Sequence, residues 1–122
     1  MANIRMGSVS LDCADPRPLA DFWAGLLEGD VVFASDDFVA VKLPTMWVST
    51  VKVNGYTPPT WPEGDVAKQI HLDLAVDDLA AGVAQALELG AVQATVQPAP
   101  ERYVVLLDPA GHPFCLTTQI PE

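Results

Sequence analysis

The strongest constraint on the fold is an internal repeat, because the second half of the chain follows the pattern of the first. A strand pattern, a helix cap and a helix-ending glycine recur in the same order. The matching positions are Ser8–Leu11 and His71–Leu74, Asp15 and Asp78, and Gly29 and Gly90. Such self-similarity indicates two related modules. We therefore predict an α+β fold that is built from two βαβββ modules.

The first half begins with a strand and a helix. Residues 5–13 alternate between apolar and polar side chains, which is typical of a half-buried strand. Asp15–Pro16 supplies an N-cap and a first-turn proline, and apolar residues then recur at helical spacing until Gly29. Short strand candidates complete the module; they are Asp30–Ala34, Phe38–Leu43 and Trp47–Val53.

A segment rich in proline and glycine predicts a linker between the halves. After it the pattern restarts with a strand over Gln69–Val76, a helix after Asp77–Asp78 and a helix stop at Gly90. We expect a single domain over residues 1–122, with module 1 at about 1–53, the linker at 54–66 and module 2 at about 67–122.

The charge and composition exclude several classes of partner. Sixteen acidic and six basic residues give a net charge of -10, so the chain should repel nucleic acid and anionic membranes. No stretch approaches the roughly 20 apolar residues of a membrane span, and no signal pattern precedes the first strand. Two cysteines are too few for a disulfide framework. A cytoplasmic protein with free thiols is the expectation.

The polar face of the first strand in each module is the candidate site. Ser8 and Ser10 in module 1, and His71 and Asp73 in module 2, alternate with apolar residues that should pack under the helices. The polar residues would then face one shared concavity between the modules. We expect a small-molecule ligand to bind there.

Several segments in this order and spacing resemble one known family. They are Ser8–Pro16 with Phe22–Trp23, Gly55–Pro62, His71–Asp78 and Asp108–Leu116. They are similar to the glyoxalase and bleomycin-resistance group, also called the vicinal oxygen chelate superfamily, and especially to its actinobacterial glyoxalase-like branch. The resemblance implies paired βαβββ modules whose strands form a half-open, cup-shaped mixed β-sheet with the helices outside. In the catalytic members a divalent metal lies at its centre.

The resemblance also implies metal-ligand positions on the first and last strands of each module. By motif these are Ser8, Val51, His71 and Cys115. Only His71 is a ligand that the family uses. Val51 cannot coordinate a metal, and Cys115 would suit a soft metal rather than Mg²⁺, Mn²⁺ or Fe²⁺. We therefore predict a dismantled metal site and no cofactor, with a divalent metal not excluded.

His71 has the greatest chemical potential, because an imidazole changes charge near neutral pH and acts as base, donor or ligand. Asp73, two residues on, could orient it. In the opposite interpretation, Asp73 or Ser8 holds a histidine that does no chemistry. Cys115 facing His71 has the residue types for thiolate chemistry, although a buried cysteine is often a small apolar filler.

Aromatic residues are better suited to binding than to catalysis, because flat side chains stack on planar ligands. The aromatic residues that should rim the cup are Phe38, Trp47, Tyr56, Trp61 and Tyr103. The predicted ligand-binding set adds Ser8, Ser10, Val51 and Cys115 to them. Asp108–Gly111, in contrast, predicts a tight turn into the last strand.

The leading hypothesis is a metal-independent protein that binds a small apolar or aromatic organic molecule. One alternative is a lyase, isomerase or epimerase that uses His71 for proton transfer. Another is a divalent-metal enzyme with an atypical site completed by water, by Asp73 or by a partner chain. The resemblance also allows a homodimer, since relatives often pair.

Overall fold

The computed structural model describes residues 2–121 and divides the chain into two compact units. The first unit, Met1–Tyr56, contains β1 (Ser8–Cys13), α1 (Pro16–Leu26), β2 (Asp30–Ala34), β3 (Phe38–Lys42) and β4 (Trp47–Lys52). The second unit, Thr57–Glu122, contains β5 (Leu72–Ala75), α2 (Leu79–Leu89), β6 (Val92–Gln93), β7 (Tyr103–Leu107) and β8 (Pro113–Thr117). The predicted α+β class and the repeated βαβββ order are confirmed. Among the described residues, no helix is long and apolar enough to cross a membrane.

The first unit is a four-stranded sheet in the order β1-β4-β3-β2, with α1 packed on β3 and β4. The β1–β4 pair is parallel and the other two pairs are antiparallel. Parallel neighbours need a crossover connection, and α1 lies within it. Leu19, Phe22 and Trp23 of α1 are almost fully buried, as their helical spacing predicts. The buried Thr50 hydroxyl donates to the Pro16 carbonyl at 2.8 Å, which joins β4 to the start of the helix.

The end of α1 differs from the prediction. The helix ends at Leu26, and Glu28 rather than Gly29 takes the left-handed conformation, at φ 54°. Gly29 is needed for a close approach, since a Cβ there would lie 2.8 Å from the Lys42 carbonyl oxygen. The glycine was therefore a correct signal for the end of the helix, but for a different physical reason.

The second unit repeats this layout as a sheet in the order β5-β8-β7-β6, with β5 parallel to β8. Asp78 caps α2 by accepting from the Ala81 amide at 3.1 Å, and Gly90 ends the helix at φ 117°. Strand β5 is shorter than the predicted Gln69–Val76, because its pairing with β8 begins only at Leu72. His71 therefore lies immediately before β5 rather than within it.

A tight turn leads into β8, as the Asp108–Gly111 sequence predicts. Asp108 is 3% exposed, and its carboxylate accepts from the Ala110 amide at 3.0 Å and from the His112 amide at 2.9 Å. Gly111 has a φ of 88°, and a Cβ there would lie 2.8 Å from the Pro58 Cβ. The turn therefore depends on a buried carboxylate and on the absence of a side chain at residue 111.

Candidate functional site

The second unit has a cavity of about 490 Å³ on the sheet face opposite α2. Side chains of neighbouring strand residues point to opposite faces, so Cys115 and Tyr103 face the cavity while Leu116 faces α2. This assignment agrees with the packing of Leu116 against Gly82 of the helix. The residues that matter most in the lining are Trp61, His71, Asp73, Arg102, Tyr103 and Cys115.

Three polar side chains form a cluster at this cavity. His71 Nε2 lies 3.2 Å from Asp73 Oδ1, and both residues are exposed. Asp73 pairs with Cys115 across the parallel ladder, and the two side chains are hydrogen-bonded. A ring nitrogen of His71, a carboxylate oxygen of Asp73 and the Cys115 sulfur all lie within 4.8 Å of one another. The arrangement follows from the two-residue period of a strand and from the β5–β8 register.

The Cys115 thiol is held in its neutral form. Burial, followed by the charge of Asp73 and the hydrogen bond with it, raises the pKa of Cys115 from 9.0 to about 11, and Lys68 opposes this rise. A reactive cysteine needs a pKa shifted downward, so the shift is opposite to the one that thiolate chemistry with His71 requires. The thiol instead donates to the carboxylate at the wall of the cavity.

This pKa predicts a measurable dependence of stability on pH. Between pH 9 and about pH 11 the folded chain keeps the thiol proton while the unfolded chain loses it. The resulting stabilisation is roughly 3 kcal/mol at most. It is fully present below pH 9 and is lost as pH rises through about pH 11. Urea unfolding with a chelator present should show a steeper fall in wild type than in Cys115→Ala. Parallel curves for the two proteins would contradict the assignment.

The aromatic wall of the cavity consists of Trp61 and Tyr103. Both pack against a small core cluster that includes Val105 and Cys115. The Trp61 indole N–H donates to the Val96 carbonyl at 3.5 Å, and the Lys68 ammonium lies 5.2 Å from the Trp61 ring centroid. The ring face is therefore held beside the polar cluster, where a flat ligand could stack.

The remaining predicted residues belong to the first unit. Strand register places Ser8, Ser10, Phe38, Trp47 and Val51 on the sheet face opposite α1. The Ser8 and Ser49 hydroxyl oxygens lie 3.3 Å apart, and the Lys42 ammonium lies 6.0 Å from the Trp47 ring centroid. Tyr56 follows β4, and its backbone amide donates to the Val53 carbonyl at 3.2 Å. Five of these six predicted residues therefore share one face of the first sheet, and Tyr56 lies outside the strands.

Two cationic residues at the cavity were missed by sequence reasoning. Arg102 lines it directly, and Lys68 stands over the Trp61 ring. Their basic character was visible in a strongly acidic chain, but their convergence depends on the fold. Arg102 also precedes Tyr103, which the sequence had marked, so adjacency was an available signal.

The sequence profile of the glyoxalase-like domain matches residues 8–117, which includes both βαβββ modules. The chain belongs to the glyoxalase-like domain family. Its resemblance to the vicinal oxygen chelate superfamily is confirmed, while the actinobacterial branch stays a prediction. A search of curated proteins gave no match.

Solved structures share the fold of this glyoxalase-like chain at low sequence identity. FosX, a fosfomycin resistance protein from Mesorhizobium loti, has a TM-score of 0.68 at 17% identity, covering 98% of this chain and 95% of that one. A FosX variant from Listeria monocytogenes, complexed with Mn(II) and 1S,2S-dihydroxypropylphosphonic acid, has a TM-score of 0.71 at 13% identity with the same coverages. A glyoxalase family protein from Enterococcus faecalis has a TM-score of 0.68 at 18% identity, covering 93% and 96%.

The resemblance assigns four metal-ligand positions, and in this glyoxalase-like chain they hold Ser8, Val51, His71 and Cys115. Val51 has no donor atom, and Cys115 offers a soft sulfur ligand. His71, Asp73 and Cys115 form a different donor set, with a soft thiol among them. Those three residue types are closer to the chemistry of zinc than to that of Mn²⁺ or Mg²⁺.

Proposed function

We propose that this glyoxalase-like protein binds a small apolar or aromatic organic molecule in the cavity of the second unit, without requiring a metal. The observation that carries the proposal is a cavity of about 490 Å³ whose lining combines flat aromatic side chains with a few converging polar groups. Small-molecule sites typically have this size and this mixture.

The aromatic and polar residues of the lining would make different contributions to binding. Trp61 and Tyr103 supply apolar surface and ring faces for stacking. The His71–Asp73 pair supplies a directional hydrogen bond. Asp73 engages Nε2 of His71, so the other ring nitrogen is left for the ligand. Cys115, as a neutral thiol, adds a small polarisable surface rather than a charge.

The binding function predicts that flat organic ligands raise the melting temperature and that His71→Ala reduces the effect. A ligand at ten times its Kd should stabilise the folded state by about 1.4 kcal/mol. Loss of one hydrogen bond to His71 should weaken binding by about fivefold. A thermal-shift screen of small aromatic compounds, with titration calorimetry of each positive compound, would measure both.

The matched control is His112→Ala, which removes the other imidazole of the chain. His112 is not among the residues that line this cavity, so its replacement should leave ligand affinity unchanged. Equal losses of ligand affinity in the two variants, or the absence of any stabilising compound, would count against the proposal.

Including zinc in the same screen tests the metal alternative. A zinc-dependent shift that Cys115→Ala removes would favour that alternative.

The second candidate function is proton transfer, and the 3.2 Å separation between His71 Nε2 and Asp73 Oδ1 favours it. An aspartate beside an imidazole orients the ring, as a general base requires. Such a chain would act as an isomerase, epimerase or lyase on the same bound molecule. Turnover that disappears in His71→Ala while binding of the ligand persists would separate catalysis from binding.

A further inference from the structure

The chain is strongly acidic, but the basic residues of the second unit lie at its cavity. The second unit has nine acidic residues but only two basic ones, Lys68 and Arg102. Both basic residues are at this cavity, one in its lining and one above the ring that lines it. Solubility alone gives no reason for the two cations to meet at one place.

Neither cation is neutralised by a carboxylate in the described part of the chain. The ion pairs of Arg17 with Asp21 and of His71 with Asp73 involve neither cation. The nearby carboxylate of Asp73 is already engaged by His71 and by the Cys115 thiol. The charge of Lys68 nonetheless reaches the cavity wall, since it opposes the upward pKa shift of Cys115.

The position of Arg102 is fixed even though its side chain is exposed. Its backbone amide donates to the Ala99 carbonyl at 2.9 Å, and its carbonyl accepts from the Thr117 hydroxyl at 2.9 Å. These bonds hold the backbone at the start of β7, and the guanidinium that extends from it brings a planar set of donors to the lining of the cavity. Carboxylates and other oxyanions match that geometry with paired hydrogen bonds.

We infer that the ligand is an organic acid with a flat apolar body, whose carboxylate pairs with Arg102 and whose ring packs against Trp61 and Tyr103. This inference rests on the proposed binding function and adds the charge of the ligand to it. Lys68, which lies over the Trp61 ring, adds to the positive potential of the site. Asp73 disfavours an anion close to itself, so the carboxylate is oriented towards Arg102 and away from the polar cluster.

The test compares three probes with one ring system and different charges: naphthoate, naphthamide and naphthylmethylamine. Titration calorimetry at low ionic strength should show naphthoate binding about tenfold more tightly than the neutral amide, since a charge-assisted hydrogen bond replaces a neutral one. The amine should bind least tightly. Arg102→Gln should remove most of the preference for naphthoate, and Lys68→Gln should reduce it.

Arg17→Gln is the matched control, because it removes one positive charge from an exposed pair on α1. It should leave the preference for naphthoate unchanged. Equal affinities for naphthoate and naphthamide, or a preference for naphthoate that survives in Arg102→Gln, would overturn the inference and leave the binding function standing. Failure of all three probes to bind would instead contradict both.

Discussion

Replacing Asp108 with alanine should lower the free energy of unfolding by about 3 kcal/mol, the largest stability effect that we expect from a single side chain outside the apolar core. The carboxylate is buried and accepts from the Ala110 and His112 amides. Truncation leaves both amides without this acceptor in a place where water is largely excluded. Urea unfolding near neutral pH would measure the loss.

Two further variants make the Asp108 prediction specific. Asp108→Asn keeps one carbonyl oxygen in place and should recover more than half of the lost stability. Asp77→Ala removes a carboxylate from an exposed position before α2 and should change stability by less than about 0.5 kcal/mol. If Asp108→Ala proved as mild as Asp77→Ala, the turn would not depend on the buried carboxylate.

The fold was predictable because its information is repeated and local. Each module contains an alternating strand, an aspartate at a helix cap and a glycine after the helix, and these signals occur in both halves. What the sequence could not provide was the exact end of each element. The strand containing Asp73 is shorter than its alternation suggested, because the pairing of β5 with β8, and not the pattern, decides where the ladder begins.

The candidate site was predictable only in part, for a related reason. The proximity of His71 and Asp73 follows from two-residue spacing on one strand face. The hydrogen bond between Asp73 and Cys115 needs a long-range register, which alternation leaves open. Burial is the main cause of the raised pKa of Cys115, and that register adds the second cause by placing the thiol beside the Asp73 carboxylate.

The charge of the site shows a different limit of sequence reasoning. A net charge of -10 is a sum over the whole chain, and the prediction that nucleic acid is not a partner rests on that sum. It says nothing about a cavity where Arg102 and Lys68 converge. At short range the nearest charges dominate, because solvent ions screen the scattered acidic surface over about 10 Å. The cytoplasmic location and the homodimer stay predictions.

Trp61→Ala should weaken binding of a flat aromatic ligand by about thirtyfold, the largest effect on affinity that we expect. The side chain supplies both apolar area and a ring face, and alanine removes both. It also uncovers the cluster of Ala94, Val105 and Cys115 against which the ring packs. Stability should therefore fall together with affinity, so titration calorimetry must be run well below the melting temperature of the variant.

Trp61→Phe separates stacking from the other contributions of Trp61. Phenylalanine keeps a flat ring but loses the hydrogen bond to the Val96 carbonyl, which is long at 3.5 Å. Affinity should stay within about threefold of wild type if stacking dominates. A loss as large as that of Trp61→Ala would show that affinity depends on how the indole N–H holds the ring and not on the presence of a flat ring alone.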